Sequence, residues 1–116
     1  MPHVVVNGDL MVEDAFGLLK PVFLKEEGLI LKTSAKYMDE VKRNIIIESL
    51  SIEGGSKRDF LVLVSQRDDG VVVRLHTILE VEKTDGVKRL LAEVAKQIIA
   101  STPGTKVGKT NLTEFL

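Results

Sequence analysis

The chain has 116 residues, 44% of them hydrophobic and 28% charged, and its 16 basic and 17 acidic side chains leave a formal net charge of −1. That is long enough for one core without disulfides or a structural metal, too apolar for a disordered segment and too charged for a membrane protein. With no cysteine, disulfides, thiolate metal sites and cysteine nucleophiles are excluded together, and the balanced charge supplies no global field to recruit nucleic acid or anionic lipid.

The N-terminal Met-Pro-His-Val-Val-Val-Asn-Gly lacks the basic start and long apolar run of a signal peptide, and no stretch approaches the roughly eighteen apolar residues that span a bilayer. A cytoplasmic location is therefore the expectation, with no membrane insertion. His3 to Val6 is a short β-branched run closed by Asn7-Gly8 and reads as an opening strand. From Leu10 the period changes, with Val12, Phe16, Leu19 and Phe23 at helical spacing. This predicts a helix over about residues 10–24, capped by Asp9 and broken near Lys20 by Pro21. Val22 to Lys25 belongs either to that helix or to a following strand.

Glu26-Glu27-Gly28 reads as a turn and Leu29 to Thr33 alternates as a strand. Ser34 then caps a short helical segment in which Tyr37, Met38 and Val41 share a side, or else residues 34–43 form a loop. Asn44 to Ile52 is a firmer strand, with Ile46, Leu50 and Ile52 on one face around Glu48, and Gly54-Gly55 turns the chain back. Phe60 to Glu82 carries the strongest local signal, two β-branched runs joined at Asp69-Gly70 as a type I′ hairpin turn would join them. Taking Asp69-Gly70 as a two-residue loop sets Val64 opposite Leu75 and Val62 opposite Thr77, and assigns Phe60, Val62, Val64, Val71, Val73, Leu75, Leu79 and Val81 to the core.

The last regular element is an amphipathic helix over about residues 86–101, capped by Thr84 or Asp85 with an apolar stripe of Val87, Leu90, Leu91, Val94, Ile98 and Ile99. Pro103-Gly104 ends it. The expectation is an α+β domain over residues 1–102 with an antiparallel sheet of four or five strands, a meander over 45–82, and a polar, flexible tail over 103–116. Meander followed by helix is an order shared with pleckstrin-homology-like rolls among other small folds, an analogy of architecture that carries no function.

Candidate sites are few. Gly104 to Thr110 resembles a phosphate-binding loop but has three residues between its glycines, follows a helix and leaves no room for the helix that would meet the anion. Nucleotide binding is therefore not expected. His3 and His76 are the only imidazoles, too few for a metal site read from sequence, and no cofactor is implied. Lys57 and Arg58, beside Gly54-Gly55, make the one candidate anion site. The second hairpin face, with Leu61, Leu63, Arg74, His76 and Ile78, is too apolar to stay wet and too polar for a core. It is covered either by the early helix or by another chain, through a homodimer or a partner peptide. The sequence thus points to a non-enzymatic binding or assembly module using that face or an open strand edge. The alternative is a small-ligand-binding protein or small enzyme with a pocket near Arg74 and His76.

Overall fold

Four successive strands follow from connections too short for any crossover, and they build the centre of the computed structural model, which describes residues 1–116. These are β3 (Leu29–Met38), β4 (Asn44–Glu53), β5 (Ser56–Arg67) and β6 (Gly70–Leu75). β2 (Phe23–Glu26) pairs with β3 at one end, while β1 (His3–Asn7) pairs with β6 and β7 (Lys106–Thr110) with β1 at the other. The result is one curled, wholly antiparallel sheet of seven strands in the order β2-β3-β4-β5-β6-β1-β7. Two helices, α1 (Val12–Leu18) and α2 (Asp85–Ser101), complete the α+β fold.

The expected four or five strands become seven for identifiable reasons. β3 does not stop at Thr33 to begin a helix: the ladder shifts between Thr33 and Lys36 and then continues to Met38. Such a bulge lets a strand absorb an extra residue without ending. The tight turn comes only at Asp39, whose carboxylate accepts from the amides of Arg43 and Asn44 at 2.8 and 3.0 Å and from the Asn44 side chain at 2.9 Å. The early helix is shorter than expected, seven residues from Val12, with no side-chain cap. Asp9 does not cap it, and the residues after Pro21 form β2. Lys36 Nζ donates to the carbonyls of Phe16 and, at 2.8 Å, of Leu19, and lies 4.6 Å from the Phe16 ring centroid. One ammonium thus satisfies the open end of α1. Residues 103–116, read as a polar tail, contribute β7 and a 3-10 turn at Thr113–Phe115, and Leu112 is only 1% exposed.

At the hairpin the register differs from expectation by two residues. Val62 pairs with Leu75, Val64 with Val73 and Arg67 with Gly70, so the loop is Asp68-Asp69 and not Asp69-Gly70. Neither aspartate has positive φ, whereas Gly70 (φ 145°) lies where β1 passes and a Cβ would overlap the Val6 carbonyl oxygen. The glycine serves the β1 contact. The doubly positive φ pair of a type I′ turn is found instead at Gly54 and Gly55, between β4 and β5. Because a shift of two preserves side-chain direction, Phe60, Val62, Val64, Val71, Val73 and Leu75 are all buried as expected. β6 ends at Leu75, however, so Leu79 is 45% exposed and Val81 only half-buried, outside any strand.

The core lies on the concave side. Val4 and Val6 of β1, Leu31 of β3, Ile45 and Ile47 of β4, and the inward residues of β5 and β6 meet Val12 and Ala15 of α1 and Val87, Leu90, Leu91, Val94, Ala95 and Ile98 of α2. Both helices therefore cover the same face. On β4 the inward residues are Ile45 and Ile47, which leaves Ile46, Leu50 and Ile52 on the other side.

Candidate functional site

The convex face is assembled from outward residues of four central strands whose register fixes their neighbours. One transverse row runs Tyr37, Ile46, Leu63, Arg74, His3 across β3, β4, β5, β6 and β1. One step along, Glu48 lies opposite Leu61, and beyond it Leu50 stands between Lys32 and Asp59. Ile46, Leu50, Ile52, Leu61, Leu63 and Val72 are each half-buried, Tyr37 and Arg74 exposed. The Tyr37 hydroxyl donates to Glu48 Oε2 at 3.2 Å, and this bond and the carboxylate charge hold the phenol above its ordinary pKa. Neither helix packs over this surface, although Val5, opposite Val72, and Ser65, opposite Asn44, are buried on it and Leu79 comes beside Leu50 and Leu61. The early helix, one of the two covers expected from sequence, lies on the concave side against α2, β3, β4 and β5.

The structure distributes the sequence-derived candidates unevenly. Leu61, Leu63 and Arg74 do share the convex face, with Leu63 directly opposite Arg74. His76 lies just past β6. Its amide donates to the Leu61 carbonyl at 2.9 Å and its Nδ1 accepts from the Ile78 amide at 3.1 Å, leaving Ile78 72% exposed in a non-strand segment. His3 faces Arg74 across the β1–β6 ladder and donates from Nδ1 to the Met1 carbonyl at 3.0 Å. Tyr37 and Lys32 were not foreseen on this surface. For Lys32 the signal was the alternation of Leu29 to Thr33, and for Tyr37 its continuation past Ser34, where a helix or a loop is expected from sequence.

Lys57 and Arg58 do not converge. As neighbours on β5 they point to opposite faces. Lys57 approaches Asp59 at 3.8 Å, and Arg58 lies 3.8 Å from Glu53 and 3.6 Å from Glu82. Glu53 is itself the centre of a polar knot. It accepts from Ser51 Oγ and Thr84 Oγ1, both at 2.6 Å, and from the Gly86 amide at 3.0 Å in the first turn of α2. Burial alone would raise its pKa, but these donors and the Arg58 charge outweigh it and hold the carboxyl below its usual range.

A cavity of ≈ 560 Å³ opens beneath the segment after β6, lined by Met1, Leu75, His76, Thr77, Leu79, Glu80, Val81, Glu82 and Lys83. His76 belongs to its wall and Arg74 does not. No three His, Asp or Glu side chains converge as a metal ligand set, and no helix is long and apolar enough to cross a membrane. Compared with models of protein families, with curated protein sequences and with solved structures, the chain matches none.

Proposed function

We propose that this chain is a non-enzymatic, cytoplasmic binding or assembly module that docks a protein on the convex face of its sheet. The observation that carries the reading is the half-buried set Ile46, Leu61, Leu63 and Val72, adjacent on three strands and bordered by Arg74, Glu48 and Tyr37. An apolar centre with a polar and aromatic border is the composition of a protein interface. Recruitment through a strand edge is the weaker form of the proposal, because β2 has four residues and β7 carries Lys106 and Lys109, short and lysine-guarded edges of the kind that resist added strands. The seven-stranded curl with its closing helix remains compatible with a pleckstrin-homology-like roll, an architecture that hosts many unrelated functions.

The test is a photo-crosslinking amino acid at position 63, with position 96 on the exposed side of α2 as control. The proposal expects protein adducts in cells from 63 and none from 96. Equal labelling from both, or none from 63, contradicts it. A second reading, a small-ligand-binding protein or small enzyme, has one observation in its favour. The ≈ 560 Å³ cavity beside His76 and Glu80 falls within the size range of ligand pockets.

A further inference from the structure

We infer that the occupant of the convex face is a second copy of this chain, turned over about a two-fold axis lying in the face. This rests on the preceding proposal and adds the identity of the partner. Two observations carry it, the arrangement of charges and the size of the surface.

Glu48 lies opposite Leu61 and Arg74 opposite Leu63, on the two sides of β5. The two charges therefore stand diagonally across a rib made by Leu61 and Leu63. A two-fold axis crossing that rib lays leucines on leucines and carries each Glu48 onto the second copy's Arg74, so that the ion pair forms twice. Arg74 makes no ion pair within its own chain, while Tyr37 holds the Glu48 carboxylate by its hydroxyl. Elsewhere on the face Lys32, Lys57 and Asp59 interleave the two signs. The Glu48–Arg74 diagonal is matched by its own two-fold copy, whereas a partner of one strong sign would meet like charge at one end of it.

The size points to a weak dimer. From Asn44 to Ile52 along β4 is about 27 Å, and four strands span roughly 19 Å. An axis that exchanges Glu48 and Arg74 makes the strands of the two copies cross steeply, so the overlap is about 19 Å each way, on the order of 400 Å² per copy and about 800 Å² in total, the size of a weak, transient contact. A contact of this size is expected to be weak, with dimer appearing towards the upper end of the concentration range below.

The experiment is sedimentation equilibrium with the intact chain from about 1 to about 500 µM, repeated for Glu48→Arg, Arg74→Glu and the double reversal, with circular dichroism to confirm folding. The wild type is expected to dimerise. Each single reversal should raise the dissociation constant at least about tenfold, since it places like charges together twice, and the double reversal should recover it to within about threefold. A monomer at every concentration overturns the inference. If position 63 then still crosslinks to some other protein, the binding face stands and only the self-association falls. If it crosslinks to nothing, both fall. A dimer indifferent to all three variants forms elsewhere and also overturns the inference.

Discussion

Glu53 ties the β4–β5 hairpin to the start of α2, because one carboxylate takes donors from Ser51, Thr84 and the Gly86 amide. Gly86 is small where that carboxylate needs room, for a Cβ there would collide with it and with Ser51 Oγ. Glu53→Gln substitutes an amide that cannot accept all three bonds and should cost about 2 kcal/mol near neutral pH. The folded-state pKa lies below the unfolded one, so the contribution is complete above the unfolded value and lost as pH falls through the folded value. Urea unfolding should therefore separate the two proteins at about pH 7, and the gap should narrow steadily as pH falls below the ordinary carboxylate range. An equal gap throughout would contradict this role for the carboxylate. Two glycines make a contrast of their own. Gly70→Ala meets the Val6 carbonyl and a φ of 145°, and is expected to lose about 2–4 kcal/mol. Gly17→Ala in α1 has open space around it and should gain about 0.5–1 kcal/mol from helix propensity. Thermal unfolding should move in opposite directions for the two.

Among the elements, α2 was the most legible from sequence, since a helix signals itself locally. Thr84 accepts from the Val87 amide at 3.3 Å as an N-cap does, and the stripe from Val87 to Ile98 is the buried one. Leu91→Ala should cost about 2–5 kcal/mol, measured by denaturant unfolding, because its side chain is wholly buried between helix and sheet. The hairpin was legible in its faces and not in its turn. Alternation decides which side each residue takes, but the requirement on Gly70 comes from β1, more than sixty residues earlier in the chain. The second half of β3, beyond Thr33, and all of β7 were not legible, for related reasons. A bulge at Ser34-Ala35 interrupts the alternation that would have carried β3 on from Thr33 to Met38. The five residues of β7 are extended because β1 offers an edge, and Leu112 is buried because the end of α2 lies beside it. Of the candidate site, Leu61, Leu63 and Arg74 were found from period alone, while Tyr37 required the continuation of β3 that the bulge concealed.

At the scale of the whole molecule, one sheet has two unlike sides. Both helices lie in its concavity, and burial there of the valines, leucines and isoleucines of five strands and two helices accounts for the fold. The convex side buries Val5 beside Val72 but leaves Ile46, Leu50, Leu61, Leu63 and Val72 only half-buried, and this asymmetry is what the functional proposal rests on. Val62 and Leu63 are consecutive on β5, the first fully buried and the second half-exposed on the other face. Their replacement by lysine, one at a time, measures the asymmetry directly in dilute solution, where any dimer has dissociated. Val62→Lys is expected to abolish cooperative thermal unfolding, as an unpaired charge in a packed core should, and Leu63→Lys to leave the transition within a few degrees of the wild type. Equal destabilisation by both would mean that the chain covers both faces of its sheet, and would contradict the account.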